Sequence, residues 1–519
     1  MQQGNLLEMT MWKLFGIFFF CGLFSPSQEV LSGLSCAVSP GAMQNVLSDA
    51  IIHNGLLQQH LQGLVLPNIV GDGGLLSSPT SITGLHLVKV QLPKLSVVLL
   101  SGIGVQLTIA AKLELSGNCL VGLLSDLIDI LVDVNITANI KCTNFESGTV
   151  QVVIEDCLCI LGAIKIKILS GLVGLLSDLI DILVDVNITA NIKCTNFESG
   201  TVQVVIEDCL CILGAIKIKI LSGLLSLSVN DIVLNQLRAT LPGLLCPVVD
   251  IVINLVNIQL MGTLNAVIPV GTAGTIHYQL ASLPFTSGLF LGLDLDGAVK
   301  QVGGSIIPHD SSASALPPLL DKLLVLGLRQ SFLNAVLSLL IQIPPQTFPC
   351  SPEIFSGASR LQEAITTLAP GGCSSCRGTS PLVIKLTLSG NPLILLEENK
   401  ATVELSVMIQ LLIERLDGSI LNLLLLKADL GLNALVSIAG GKLVLGLSLG
   451  STSLSLESSD IGISSISNLK PHCSSLLTET FLPLLNGALG IGIPLPNVLG
   501  IPLIKVNVQI LKGLLVILV

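Results

Sequence analysis

Four groups of residues in this chain have types and spacings that could do chemistry. Gly446-Leu447-Ser448-Leu449-Gly450 matches G-x-S-x-G, where a serine on a sharp strand-to-helix turn attacks an acyl carbon. Its flanks, KLVL and STSLSLES, alternate like strand on both sides, so the required turn is missing and Ser448 reads as an ordinary strand residue. Cys373-Ser374-Ser375-Cys376 has the spacing of a redox or zinc half-site, but no second pair or nearby His accompanies it. In an oxidising compartment a local disulfide, or one to Cys350, is the better reading. His53, His60, His86, His277, His309 and His472 are scattered, with no HExxH among them. Asp126, Asp129 and Asp133, repeated at Asp178, Asp181 and Asp185, lack the Gly turn and terminal Glu of a calcium loop, and read as the solvated face of a strand or short helix. No phosphate-cradling Gly loop is present. The expectation is a protein that is not an enzyme, with no catalytic residue, no metal and no cofactor.

Composition points the same way. The 519 residues are 51% hydrophobic, 11% charged and 3% aromatic, with a formal net charge of −10. An ordinary soluble domain carries about 25% charge. No basic run occurs, so nucleic acid is excluded as a partner, and strong attraction to anionic lipid surfaces is not supported. Beyond the N-terminus, polar residues break every apolar stretch before the roughly 20 residues that a membrane-spanning helix needs, so no transmembrane anchor is expected.

The N-terminus carries an address. Lys13 precedes a short apolar run, Leu14 to Phe24, followed by Ser25-Pro26-Ser27, which is the pattern of a signal peptide over residues 1–27. A secreted, extracellular protein is expected. Export fits two glycosylation sequons, Asn135-Ile136-Thr137 and Asn187-Ile188-Thr189, and it permits disulfides. Of the 14 cysteines, Cys21 leaves with the signal, and an odd number remains.

Residues 121–172 and 173–224 are the same 52-residue block written twice, without one change. Solenoid repeats diverge and need three or more copies to bury a core. One identical copy reads instead as a duplicated block that the fold must accommodate as an insertion.

The elements that would hold any site follow from periodicity. Residues 43–63 read as an amphipathic helix, with Val46, Ile51, Leu56, Leu57 and Leu61 on one face, followed by a Gly/Ser loop from Gly71 to Ser78. Leu85 to Leu92 and Val105 to Leu115 alternate as strands, as do Val132 to Ile140 and Val150 to Ile154 within the block, and Ile216 to Ile220 at its end. Over 229–258 the period changes to that of a long, apolar-faced helix, interrupted by Pro242 and Pro247. Residues 303–318 read as a linker and 319–342 as a second amphipathic helix. Residues 382–458 form a strand meander punctuated at Glu397 to Lys400, Asp417-Gly418 and Gly440-Gly441. A helix from Ser474 to Leu489 and a strand near Ile504 to Ile510 finish the chain. An antiparallel sheet curled around an apolar helix needs few charges, which accounts for the composition without a membrane span.

Three stretches carry a family resemblance: Glu207-Asp208-Cys209 before an alternating strand, Leu244-Leu245-Cys246-Pro247-Val248-Val249 in the helix that follows, and Gly492-Ile493-Pro494-Leu495-Pro496-Asn497-Val498-Leu499 near the C-terminus. With the order of elements, they make the chain resemble the BPI/PLUNC superfamily, specifically the two-domain BPI fold-containing family B (long PLUNC) proteins, over essentially the whole mature length. The resemblance implies an α+β fold of two BPI-type domains, residues 28–302 and 319–519, each a curled antiparallel sheet around a long apolar helix. A central sheet would join them in a boomerang, with the 303–318 linker between. It implies a disulfide between Cys209 and Cys246, for which Cys157 of the upstream copy competes. It also implies pockets for a phospholipid or other acyl chain, with walls assigned to Val233, Leu237, Leu241 and Val252. The acidic balance departs from relatives that grip lipopolysaccharide through cationic tips, so strong endotoxin binding is not carried over. The expected function is binding of lipid or another hydrophobic ligand in mucosal innate defence or ligand carriage. The alternative is a surface-active structural protein without a defined ligand.

Overall fold

A computed structural model of the chain describes residues 32–71, 80–100, 104–121, 124–146, 149–153, 157–169, 181–196 and 202–219. It further describes the positions 235–237, 239–241, 243–245, 247–248, 251–252 and 255, and 262–519 apart from 283, 311–314, 369–381 and 415–416.

The chain begins with β1 (Leu34–Val38), buried along its whole length. Ser39 caps α1 (Pro40–Ser48), its hydroxyl accepting the Ala42 N–H at 3.0 Å with Pro40 in the first turn. Helix α1 widens into a π turn at Asp49–His53, and the chain then breaks at Gly55 (φ +66°) before α2 (Leu56–Leu61). The single helix expected over 43–63 is therefore two, because Gly55 takes a left-handed backbone that a helix interior forbids. Of the expected face, Ile51, Leu57 and Leu61 are buried, while Val46 and Leu56 are half-buried.

An eight-stranded sheet follows: β2 (Ile69–Gly71), β3 (Thr80–Leu100), β4 (Gly104–Val121), β5 (Leu124–Glu146), β6 (Thr149–Val153), β7 (Cys157–Leu169), β8 (Asp181–Asn196) and β9 (Val202–Lys219). Along β4, Leu107, Ile109, Ala111, Leu113 and Leu115 are buried at period two, as a strand with one core face requires. Asp126, Asp129 and Asp133 stand on β5, opposite Cys119, Ser116 and Lys112, so the strand alternative holds over the short helix. The sheet corrects one expectation. Where the two copies of the block meet, β7 and β8 keep antiparallel bridges at Cys157–Ala190 and Ile160–Val186, but like strands pair in parallel: Asn135 to Ile140 with Asn187 to Ile192, and Leu158-Cys159 with Leu210-Cys211. Each residue lies beside its own duplicate. Identical segments laid side by side in this register match their apolar patterns, whereas a one-residue slip reverses every face.

The central sheet has nine strands: β1, β10 (Ala266–Val270), β11 (Gly274–Leu280), β12 (Phe285–Thr286), β13 (Leu291–Gln301), β14 (Ile306–Ile307), β15 (Leu324–Arg329), β22 (Asn507–Leu511) and β23 (Leu514–Leu518). The N-terminal strand β1 lies between β13 of the first half and β15 of the second, with Ser35 opposite both Asp294 and Gly327. Strand β14 belongs to the segment expected as linker and pairs with β13. The helix expected over 319–342 begins as strand β15 and becomes helical only at α3 (Gln330–Leu340). All six β15 residues are buried, and a strand covered on both faces is a continuous apolar run that periodicity cannot separate from helix. The same reason hid β23, whose five residues LLVIL are all buried.

Between β15 and the terminal hairpin come β16 (Gln346–Pro349), α4 (Ala358–Leu368) and the meander β17 (Leu382–Glu397), β18 (Lys400–Glu414), β19 (Ile420–Ala439) and β20 (Lys442–Ser458). They form a six-stranded antiparallel sheet, completed at the β20 edge by β21 (Ile493–Pro494). The expected turns are the observed ones, with positive φ at Asn399, Gly418, Gly440 and Gly441. The last helix starts earlier than expected, as α5 (Lys470–Leu476), passes through a π segment at Leu477–Phe481 and ends as α6 (Leu482–Leu489). One hydrophobic cluster runs through both halves, and a small second one, centred on Ala37, Val325 and Val516, covers the other face of the central sheet.

Candidate functional site

The first half offers an apolar helix stripe. Described positions between 235 and 255 are helical. Leu237 (0% exposed), Leu241 (2%), Leu245 (2%), Val248 (6%) and Val252 (1%) recur at steps of four, four, three and four, which is one helix face. They share a core cluster with Leu107, Ile109 and Leu113 of β4. Three of the four expected pocket residues, Leu237, Leu241 and Val252, are thus brought together in the interior, while Val233 lies outside the described residues. Cys209 stands on β9 opposite Ala190, and Cys246 lies outside the described residues. Asn135 stands on β5 opposite Ala110, and its duplicate Asn187 stands on β8.

The second half builds its apolar face from the meander and two helices. Val403, Leu405, Val407, Ile409 and Leu411 of β18 are buried at period two, and Phe332, Val336, Phe481 and Leu485 of the helices join them in one cluster. Sequence reasoning missed how the sheet edges are sealed. Asn334 Oδ1 accepts the Ile394 N–H at 2.6 Å, and Gln330 Oε1 accepts the Leu396 N–H at 2.9 Å. Asn486 Oδ1 accepts the Leu447 N–H at 2.7 Å, while its Nδ2 donates to the Leu447 carbonyl at 3.0 Å. Each is a lone amide in an apolar helical pattern, which was the available signal. A groove of about 600 Å³ crosses the outer face near the Ser389–Leu393 bulge, but Glu404, Ser406, Asp429 and Ser453 line it, so it offers no place for an acyl chain.

The seam between the halves is polar. The buried Arg329 guanidinium donates to the Ser32 carbonyl at 2.5 Å, to the Ser32 hydroxyl, and to Ser35 Oγ at 3.0 Å. Ser35 Oγ in turn donates to Asp294 Oδ1 at 2.6 Å. Burial pulls the Arg329 pKa down and the Asp294 charge opposes that shift. A cation, a hydroxyl and a carboxylate thus bridge β15, β1 and β13. Beside them, Phe332 rests against Gly297 and Gly33, where an added Cβ at Gly297 would meet the ring at 2.5 Å. Tyr278 Oη donates to the Pro494 carbonyl at 2.6 Å, and the Leu499 N–H donates to Thr263 Oγ1 at 3.1 Å, so the IPLPNVLG segment is tied to the first half.

Among the described residues nothing is arranged for bond-breaking. Ser448 is an exposed residue within β20, opposite Asn433, with strand on both sides. The histidines keep separate company: His53 with Asp49, His60 with the Leu56 carbonyl, His86 with the Gly84 carbonyl, His277 with Asn265 and His309 with the Gly297 carbonyl. Among the described residues no cluster could hold a metal, and no helix is long and apolar enough to cross a membrane. Cys36, Cys350 and Cys473 are free, buried thiols; burial raises all three, Cys350 to about 11 and Cys473 to about 12, so they stay protonated and unreactive. Cys373 and Cys376, expected in a local disulfide or one to Cys350, lie outside the described residues.

Known families supply the decisive comparison. Residues 49–181 and again 172–258 match the LBP / BPI / CETP family, N-terminal domain, and residues 377–519 match the LBP / BPI / CETP family, C-terminal domain. The chain belongs to this family. The family's N-terminal domain is matched in two pieces, and the second begins where the second copy of the block begins. Human BPI fold-containing family B member 4 is 30% identical over 458 residues, 86% of this chain and 65% of that protein, so the chain spans a little under two thirds of that relative. Mouse BPI fold-containing family B member 3 is 27% identical over 438 residues, covering 84% of this chain and 80% of that one. A crystal structure of lipopolysaccharide binding protein superimposes with a TM-score of 0.55 at 15% identity, over 94% of this chain and 98% of that one, and shows the same fold. The LBP / BPI / CETP fold is a two-domain arrangement of helices and curled antiparallel sheets, and its members are lipid-binding proteins, not enzymes.

Proposed function

We propose that this chain is a secreted protein that binds a phospholipid or another acyl-chain ligand, in mucosal innate defence or ligand carriage. The observation that carries the reading is the buried stripe Leu237, Leu241, Leu245, Val248 and Val252, in a member of a lipid-binding family. In this reading residues 1–27 are a signal peptide. Residues 28–302 and 319–519 are the two domains, each a sheet curled around its helix, with 303–318 as linker between the arms of a boomerang. Cys209 bonds to Cys246, and Asn135 and Asn187 carry glycans. An acyl chain lies along the 235–255 helix against Val233, Leu237, Leu241 and Val252, gaining about 0.8 kcal/mol per buried methylene. The net charge of −10 argues against strong endotoxin binding.

The test is organic extraction of the protein purified from its native secretion, with mass spectrometry of the extract. Co-purifying lipid, and uptake of a fluorescent fatty acid that Leu241→Asp abolishes, are expected. A folded protein that carries no lipid and takes up no probe would sink the reading. The surface-active alternative draws support from Phe285, Leu289 and Leu320, which are 50%, 78% and 86% exposed beside the small second core. A strong fall in surface tension at low protein concentration, without lipid uptake, would favour it.

A further inference from the structure

The register of the central sheet brings distant loops to one end. Leu291 of β13 pairs with Val38 of β1, Val38 with Leu324 of β15, Val325 of β15 with Leu518 of β23, and Leu518 with Asn507 of β22. Strands β13, β15 and β22 all begin at that end, so the segments 284–290, 315–323 and 502–506 enter the sheet there together. At about 4.8 Å per strand, the row from β13 to β22 is about 20 Å long.

Each of the three segments carries an apolar side chain in water. Leu320 and Leu289 are the two most exposed large apolar side chains among the described residues, Ile504 is 64% exposed, and Phe285 and Leu323 are exposed beside them. These tips stand on fixed supports. Ser287 Oγ accepts the Leu289 and Phe290 N–H groups at 3.3 Å, and the Ser287 N–H donates to the Phe290 carbonyl at 3.2 Å, which closes a tight turn with Leu289 at its point. Phe290 and Leu319, the neighbours of Leu289 and Leu320, pack in the small second core. Leu320 has φ +50° and Lys505 φ +53°, a left-handed backbone that Gly or Asn adopts readily and Leu does not. The chain accepts strain to hold Leu320 outward, and strain of this kind collects where a ligand is met. The far ends of β22 and β23 are covered instead: the Gly513 N–H donates to the Leu396 carbonyl, and the Asn399 N–H to the Ile510 carbonyl.

We infer that this end of the central sheet docks on an electrically neutral, phosphatidylcholine-type lipid surface, with Leu289, Leu320 and Ile504 entering the boundary between headgroups and acyl chains. Charge and shape argue for this occupant. The charged side chains of the three segments are Asp321, Lys322 and Lys505, close to balance in a chain of net charge −10. An acidic end would be repelled by anionic lipids and a basic one would select them; a balanced end does neither. The tips stand on separate turns rather than on one strand or helix face. A protein partner needs a matched surface of about 800 Å², whereas a fluid lipid surface takes separate points at unequal heights. The chain also belongs to a lipid-binding family, and lipids are met in water as aggregates. The inference goes beyond the acyl-binding reading, since it concerns where the protein meets a lipid surface and not where it holds one lipid.

Flotation of the full-length chain with phosphatidylcholine vesicles tests it. Binding is expected, not weakened between about 0.1 and about 1 M salt because no ion pair drives it, and not strengthened by added phosphatidylserine. Leu320→Asn, which suits the left-handed backbone, should weaken binding about tenfold while the melting temperature holds or rises. Leu289→Ser should weaken it by a similar factor, and Ile504→Ser decides if either variant loses the parent's circular dichroism spectrum. Val302→Asn, an exposed apolar residue at the opposite end of β13, should leave binding unchanged. Uptake of a fluorescent fatty acid offered as a monomer is measured alongside. Vesicle binding without uptake sinks only the acyl-binding reading, and uptake without vesicle binding sinks only this one. A wild-type chain that does not float with the vesicles overturns the proposal, including one that dimerises through this end. So does binding that Val302→Asn weakens as much as Leu320→Asn, or that none of the three loop variants alters.

Discussion

The two large sheets face the same problem, the register of very long strands, and meet it in opposite ways. In the second-half meander every strand has one antiparallel place to go. Tight turns at Asn399 and Gly440-Gly441 set the pairings, bulges at Ser389–Leu393 and Gly431–Leu432 pin them, and Asn334, Gln330 and Asn486 seal the edges. In the first half, β4 pairs with β5, but an identical segment waits 52 residues downstream, and the copies settle beside each other in parallel. Register needs sequence asymmetry, and a perfect duplication removes it. One block is therefore spare to the fold, whereas no strand of the meander is.

Deletion should break this comparison most sharply. Removing 173–224 leaves β4 with its partner and restores a fully antiparallel sheet, so the variant stays soluble with a cooperative thermal transition at or above the parent's. Removing the 420–458 hairpin, which is shorter, abolishes the transition. Equal tolerance of both deletions would refute the contrast. Next in size is the seam that joins the halves. Arg329→Ala strands Ser35 and Asp294 in a buried site and should cost about 3 kcal/mol in urea unfolding, with the two halves losing their common transition. The edge seals are smaller. Asn486→Ala leaves the Leu447 N–H and C=O without their partner and should cost about 1–2 kcal/mol, with faster hydrogen exchange at Leu447 than at residues in the centre of the sheet.

The smallest effect is electrostatic. The exposed Glu479 carboxylate accepts hydrogen bonds from the Ser356 N–H, the Ser356 hydroxyl and the Ser475 hydroxyl, in that order of influence, and its pKa is depressed. A depressed carboxylate contributes stability that is fully present above its unfolded pKa and is lost as pH falls through the folded value. Ser356→Ala should therefore raise the Glu479 pKa, seen by NMR titration, and narrow the stability difference from the parent below about pH 4. An unmoved titration would show that these hydrogen bonds do not form in solution.

Much of the fold was legible. The meander and its turns follow from alternation and from Asp417-Gly418 and Gly440-Gly441, and the 235–255 stripe follows from helical spacing. Strands β15 and β23 were not legible, because Leu324–Arg329 and Leu514–Leu518 are covered on both faces and carry no period to read. The burial of Leu237, Leu241 and Val252 on one helix face was legible in their spacing, while the amides that seal the edges passed as exceptions in apolar helices.

Local pattern alone determined the charge-poor strand meander and the apolar helix stripe, because the exposure of each strand and helix face is written in its own few residues. The seam was decided only by tertiary structure. Ser35 lies 259 residues from Asp294 and 294 from Arg329 along the chain, and a single hydrogen bond from each in space. No local period can encode a contact whose partner lies on a strand half a chain away. The parallel meeting of the two copies belongs to the same class, since two identical segments have no preference between each other's partners until the rest of the sheet supplies one.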